Sequence, residues 1–160
     1  MPRSMECEKQ QGEWRICEVQ AGWSDEIADV AALEKNIFSD AWTENGIRNT
    51  LCQENGIVLG MWRGDLLAGY VILYYVLDEG EIARIAVDPA CRRQGVATGM
   101  LGHLVKICKE KGIWRLMLEA RTSNEAALSF YKKSGFTEDG VRKGYYTNPC
   151  EDAILMSKLL

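Results

Sequence analysis

The sequence predicts a mixed α/β domain, a central and mostly antiparallel sheet flanked by helices. Three observations predict it. Residues 56–62 (GIVLGMW) and 66–77 (LLAGYVILYYVL) are rich in strand formers and are separated only by the glycine-centred Arg63-Gly64-Asp65, as a hairpin requires. Apolar residues recur at helical spacing after Ser24, after Thr43 and after Gln94, each time behind a polar or glycine start signal. Residues 113–120 (IWRLMLEA) are apolar at nearly every position, which marks a central strand covered on both faces.

With 160 residues and 47% hydrophobic content the chain can bury one substantial core, so residues 14–160 are read as a single domain. The balance of 19 basic and 23 acidic residues leaves a net charge of -4, which excludes general nucleic-acid binding because no excess positive field displaces counterions. Six cysteines are dispersed without a C-x-x-C pair, and neither a signal-peptide pattern nor a long apolar span accompanies them. That combination predicts reduced thiols, a cytoplasmic location and no membrane partner. The single histidine, His103, reads as a surface or boundary residue. With it go Ser-His-Asp and Cys-His nucleophile sets and His-rich zinc sites, and no metal is expected.

Residues 1–13 are polar and aperiodic, a flexible N-terminus without chemistry. Residues 14–19 (WRICEV) alternate as a first strand. Ser24 is the expected N-cap of a helix whose face carries Ile27, Val30, Ala31, Glu34 and Phe38. Thr43 before Glu44 opens a second, shorter helix with Ile47 and Leu51. After the hairpin, Asp78-Glu79-Gly80 is read as a turn into residues 81–87, completing a three-strand meander.

In the helix expected over 94–111, Val96, Met100, Leu104 and Cys108 recur every four residues. Gly99 and Gly102 interrupt it at about 1 kcal/mol each relative to alanine. Either a close approach to the sheet or a ligand compensates, or the glycines are tolerated defects. Gly112 ends the helix. Thr122 and Glu125 form a T-x-x-E capping box for another, with Ala127, Leu128 and Tyr131 inward, Lys132 and Lys133 in its last turn and Gly135 at its exit. Phe136 begins a return strand, and residues 151–160 form the last one beyond the polar loop Thr147-Asn148-Pro149.

The richest stretch for function is residues 84–100, RIAVDPACRRQGVATGM. A short strand (Ile85, Ala86, Val87) is stopped by Asp88-Pro89. A basic turn (Arg92, Arg93) then runs through Gln94 and Gly95 into a helix opening with Val96, Ala97 and Thr98. First-turn helix amides lack intrahelical partners and carry the positive end of the dipole, so a phosphate is stabilised there. The arginines add charge-assisted donors. Neither G-x-x-x-x-G-K-[ST] nor G-x-G-x-x-G is present.

The stretch resembles the acyl-CoA pyrophosphate loop of the GNAT acetyltransferases, Arg or Gln, two residues, Gly, one residue, Gly or Ala, which Arg92, Gly95 and Ala97 satisfy. The resemblance implies the GNAT acyl-CoA N-acyltransferase fold and acetyl-CoA as cosubstrate. Its diphosphate would lie on residues 92–98 and its pantetheine arm along the backbone of Ile85, Ala86 and Val87. Residues 118–136 (LEARTSNEAALSFYKKSGF) are similar to the bacterial ribosomal-protein-alanine N-acetyltransferases of that family. That likeness implies Glu119 as proton acceptor, Tyr131 as proton donor and Asn124 as a coenzyme contact. The implied acceptor is the N-terminal alanine of a small-subunit ribosomal protein.

The likeness extends to Gly144-Tyr145-Tyr146, to residues 151–156 and more weakly to 38–42. Two departures stand out: Arg84 occupies a position where many relatives carry asparagine, and the loop over 147–150 is shorter than in some.

From the residues alone, Glu119 is either a base at a strand end or an outward, solubilising carboxylate, and Tyr131 is either an acid or a core aromatic. Acidic residues such as Glu44, Glu79 and Glu81 either meet a basic protein or are solvated face. Acetyl transfer to an amine needs a bound coenzyme, a neutral nucleophile and a proton for the thiolate. With reference pKa values of about 7.7–8.0 for the α-amine and about 8.5 for the thiol, positioning supplies most of the rate. Direct transfer in a ternary complex is expected, because nothing near Cys91 could serve as its base. The competing functions are acetylation of a lysine side chain, a polyamine or an antibiotic amine, and non-catalytic CoA binding.

Overall fold

The apolar runs that predict the hairpin do form it, and in the computed structural model, which describes residues 8–9 and 14–160, they lie near the middle of the sheet. In chain order the elements are β1 (Glu8–Lys9), β2 (Trp14–Glu18), α1 (Ser24–Ile37), α2 (Glu44–Cys52), β3 (Gly56–Arg63), β4 (Leu66–Val76) and β5 (Glu79–Val87). A 3-10 turn (Pro89–Cys91) then leads to α3 (Val96–Glu110), β6 (Arg115–Arg121), α4 (Glu125–Lys133), β7 (Thr137–Tyr146) and β8 (Glu151–Leu159). Among the described residues the strands form one eight-stranded sheet in the order β1-β2-β3-β4-β5-β6-β8-β7. Only the β5–β6 pair is parallel. The short β1 lies in the segment expected to be aperiodic; the rest of that segment is outside the described residues.

Two apolar layers sandwich the sheet. On one face α3 and α4 bury Met100, Leu104 and Tyr131 against Leu59, Val71, Leu116 and Leu118. On the other, α1 and α2 bury Ile27, Val30 and Ile47 against Val58, Trp62, Tyr70 and Ile72. Both sides of β3 and β4 are thereby filled, which is why their sequences lack alternation.

β6 departs from expectation. Leu116, Leu118 and Ala120 are buried while Arg115, Met117, Glu119 and Arg121 are only half-buried. Its second face lies beyond the part of the sheet that α1 and α2 cover.

A bulge creates that opening. The β4–β5 register passes from Ile72↔Arg84 to Leu73↔Ile82, leaving Ala83 as an extra residue. Bulges bend a strand and increase its twist. β5 pairs with β6 only from Glu79 to Ile82, opposite Arg115 to Leu118. Past the bulge, Ile85, Ala86 and Val87 stay paired to β4 and have left β6.

Several local readings change. Ser24 is the first residue of α1 and not its cap; Trp23 occupies the cap position, with no side-chain cap bond. Thr43 does cap α2, its hydroxyl accepting from the Gly46 amide at 3.1 Å. The β4–β5 turn is Leu77-Asp78, with Leu77 at φ 54°, so Glu79 and Gly80 already belong to the strand. α4 is capped by Asn124, whose Oδ1 accepts from the Ala127 amide at 3.2 Å. The Thr122 hydroxyl is instead captured by Glu151, at 3.0 Å. A Cβ on Gly102 would meet nothing within 4 Å, so this glycine is a tolerated defect. Cys52, Cys91, Cys108 and Cys150 are free thiols, but Cys17 is disulfide-bonded, contrary to the expectation of six reduced cysteines.

Candidate active site

Where β5 and β6 part, a cleft of about 820 Å³ opens. One wall is β5 from Glu81 to Ile85 together with residues 37–40 of the α1–α2 connection. The other is formed by residues 118–121 of β6, the α4 cap Asn124, Ala127 and Tyr131 of α4, Tyr145 and Tyr146 at the end of β7, and residues 147–149 beyond it.

Glu119 stands in this wall, 17% exposed, on the half-covered face of β6. Its Oε1 lies 3.3 Å from Arg142 Nη1, and the Tyr145 hydroxyl donates to its carboxylate. That hydrogen bond is the main reason the Tyr145 phenol is raised above its ordinary value, with burial second. Arg142 also lies over the Tyr145 ring at 5.0 Å. Tyr146 sits edge-on to Tyr145 and its phenol is pushed up to about 12, by burial first and then by the charge of Glu119.

Tyr131 satisfies both readings of it. It is a core residue, 6% exposed, with Phe130 and Phe136 at ring distances of 5.5 and 5.7 Å, and it also lines the cleft. Burial above all, then Tyr146, drives its phenol far upward. A phenol so placed is protonated at neutral pH, and its O–H is available as a hydrogen-bond donor to a group bound in the cleft.

A second cluster braces the β7–β8 connection. Arg121 donates to the carbonyls of Pro149 (3.1 Å) and Thr147 (3.3 Å), pairs with Glu151 at 3.4 Å, and lies 4.4 Å from the Tyr146 ring centroid. Glu151 also accepts from the Thr122 hydroxyl and the Ser123 amide. Hydrogen bonds from Ser123 lead in holding its carboxyl down at about 2, with Thr122 and Arg121 adding to them.

The basic loop lies outside the cleft lining, beyond the open length of β5. Arg92, Arg93, Gln94 and Gly95 are exposed, with Arg93 at φ 63° and Gly95, the N-cap of α3, at φ 76°. A Cβ at Gly95 would touch nothing within 4 Å, so glycine serves here for its left-handed backbone. The Gly99 amide donates to the Gly95 carbonyl at 2.9 Å, so the amides of Val96, Ala97 and Thr98 precede the first helical bond. Gln94 accepts from Arg63 at 3.5 Å and donates to the Ala90 carbonyl at 3.3 Å. Arg63 is thus a third guanidinium at the loop. From Val87 back to Arg84 the free edge of β5 runs about 10 Å, at about 3.3 Å per residue. It joins the basic loop to the cleft.

Of the residues singled out from sequence, Glu119, Tyr131, Asn124 and Ile85 meet in the cleft, while Arg92 through Thr98 form the separate loop. Ala86 and Val87 bridge the two regions. Asn124 has a structural task as the α4 cap besides facing the cleft. Of the acidic residues, Glu81 lines the cleft and Glu79 pairs with Arg115 at 3.7 Å. Sequence reasoning missed Arg142, the Arg121–Glu151 brace and Arg63. Cys91 is buried, and burial followed by Asp88 raises its thiol, so it is a poor nucleophile. Among the described residues, no group of three or more His, Cys, Asp or Glu could hold a metal ion.

A sequence profile described as the acetyltransferase (GNAT) family matches residues 20–136. The chain belongs to the GNAT acetyltransferase family. It is 42% identical over 127 residues to the [ribosomal protein bS18]-alanine N-acetyltransferase of Escherichia coli K12, covering 78% of this chain and 85% of that one. It is 35% identical over 133 residues to the putative enzyme of that name from Bacillus subtilis strain 168, covering 82% and 88%. Superposition on the crystal structure of the Escherichia coli ribosomal-protein-S18-alanine N-acetyltransferase gives a TM-score of 0.81 at 30% identity over 91% of this chain and 93% of the other. The GNAT fold expected from the sequence is therefore the fold observed, and the protein is an N-acetyltransferase. Among the described residues no helix is long and apolar enough to cross a membrane.

Proposed function

We propose that this GNAT enzyme transfers an acetyl group from acetyl-CoA to a protein N-terminal α-amine, the alanine of a bS18-type ribosomal protein foremost. Residues 14–160 would act as one catalytic domain, and the reaction would take place in the cytoplasm, where ribosomal proteins are made. The observation that carries the proposal is the free β5 edge. It runs from the basic loop to a cleft that holds a carboxylate and a buried phenol.

Acetyl-CoA supplies the activated thioester. In this reading, the loop of Arg92, Arg93, Gln94 and Gly95 with the amides of Val96, Ala97 and Thr98 holds its diphosphate. The backbone of Ile85, Ala86 and Val87 aligns the arm, with Asn124 beside it. Glu119 takes the proton from the acceptor ammonium, directly or through one water, and the freed nitrogen attacks the acetyl carbonyl. As the C–N bond forms and the C–S bond breaks, Tyr131 gives its proton to the leaving sulfur. The nitrogen's remaining extra proton passes through water to restore the Tyr131 phenol, and Glu119 releases the ammonium proton to solvent. Electrons end on the thiol and the product is an amide. Arg142 and Tyr145 hold the Glu119 carboxylate in place. The raised thiol and burial of Cys91 favour direct transfer over an acyl-enzyme.

The test is an alanine-initiated ribosomal peptide beside the same peptide blocked at its N-terminus, both with acetyl-CoA and read by mass spectrometry. The proposal expects a single acetyl group on the terminal nitrogen of the free peptide and none on the blocked one. Acetylation of lysine in both, or of a polyamine in preference to either, would replace it with a different acceptor.

A further inference from the structure

The cleft wall opposite Glu119 and Tyr131 is held by one residue that the proton chemistry does not use. Arg84, 16% exposed, follows the bulged Ala83 in β5 and reaches across to the α1–α2 connection. Its Nη2 lies 2.9 Å from Asp40 Oδ1 and donates to the Asp40 carbonyl at 3.0 Å. Its guanidinium lies 4.1 Å from the Phe38 ring centroid. Its Nε is 3.2 Å from Glu34 Oε1, an ion pair whose N–H is not aimed at the oxygen. Glu34 is completely buried and also accepts from the Tyr70 hydroxyl at 2.5 Å and the Trp42 amide at 3.0 Å.

A stretch without helix or strand, residues 38–43, is therefore tied down at Phe38, Asp40 and Trp42, all through the Glu34–Arg84 pair. An asparagine at this position would have too short a side chain to reach both carboxylates. A lysine could reach one at a time, but it is a point charge without the planar fork that pairs, donates and stacks at once.

We propose that Arg84 is a positioning residue that clasps residues 38–42 against β5 and so narrows the acceptor side of the cleft, selecting acceptors with a small first side chain. The proposal rests on the N-terminal acetylation reading above. Phe38 and Asp40 line the cleft, and in this proposal the Phe38 ring, held by the Arg84 guanidinium, limits the space for the acceptor's first side chain and so favours alanine or serine over leucine. Releasing the clasp widens the entrance without touching the carboxylate or the phenol that move protons.

Two variants test it, each sparing the buried Glu34. Asp40→Ala removes a side chain that is 78% exposed, and Arg84→Lys keeps a positive charge beside Glu34. Peptides that differ only in beginning with alanine or leucine are assayed with acetyl-CoA, and hydrogen–deuterium exchange is followed over residues 38–42. The clasp predicts that KM for the alanine peptide rises roughly three- to fivefold, the worth of one partly exposed ion pair. The alanine-over-leucine preference falls by a similar factor, kcat and KM for acetyl-CoA stay within about twofold, and exchange quickens in both variants. Unchanged peptide KM and preference, or an equal rise in KM for acetyl-CoA, would overturn it.

If the unaltered enzyme acetylates neither peptide, the acceptor reading fails and exchange decides the clasp by itself. Faster exchange in both variants supports it, and unchanged exchange refutes it.

Discussion

Replacing Glu119 by glutamine separates its chemical from its structural contribution, because the substitution keeps size and a hydrogen-bond acceptor for Tyr145 while removing the charge. The structural loss is small. The partner Arg142 is 53% exposed and 3.3 Å away, so the ion pair contributes at most about 1 kcal/mol, which corresponds to a fall in Tm of about 2–4 °C for a chain of this size. The chemical loss is larger, since a positioned base contributes about 100- to 10,000-fold. The variant should therefore bind CoA as the parent does and lose at least about 100-fold in kcat/KM at pH 7. The loss should shrink with rising pH. The free-amine fraction of the acceptor increases roughly tenfold per pH unit up to its pKa of about 7.7–8.0, and a nitrogen that is already neutral needs no base. Thiol release gives the rate between pH 6.5 and 8.5, and calorimetry gives CoA affinity. A variant within about threefold of the parent at pH 7, or a defect independent of pH, would refute Glu119 as the proton acceptor.

Other outcomes follow from the loop and the brace. Gly95→Ala forces a Cβ into φ 76°, costing about 1–2 kcal/mol, so CoA should bind roughly five- to thirtyfold more weakly with kcat at saturation nearly unchanged; isothermal titration checks both halves. The Glu151 carboxyl titrates at about 2 in the fold against 4.5 ordinarily, so its contribution is complete above about pH 4.5 and is lost as pH falls toward 2. Tyrosine fluorescence and thermal melts over that window should show an acid loss in the parent that Glu151→Gln has already incurred at pH 7.

Local periodicity carried most of the fold. The β3–β4 hairpin, α3 with its four-residue apolar spacing, and the Thr43 cap each depend on residues only a few positions apart. So does the basic loop, where the arginines, Gly95 and the helix start are contiguous. What stayed hidden depends on distant partners. The letters of β6 read as doubly covered because nothing in them says that α1 and α2 stop short of that strand. Thr122 and Asn124 both carried cap chemistry, and Glu151, 29 positions beyond Thr122, decided between them by taking the hydroxyl. The extra Ala83 is invisible as a bulge until β4 is laid beside it. Arg142 lies on a strand whose residues are nearly all exposed, so no pattern distinguished it from a solvated charge. Arg84 was visible only as an unusual residue, and its buried partner Glu34 was placed on the inward face of α1 without a reason for a carboxylate to be there.

The most direct test of the account is a crystal structure with acetyl-CoA bound. It should show the diphosphate against the amides that open α3, the arm lying along residues 85–87, and the thioester sulfur within hydrogen-bond reach of the Tyr131 hydroxyl, on the same side of the cleft as Glu119. A coenzyme bound elsewhere, or one whose thioester ended away from both Glu119 and Tyr131, would contradict it.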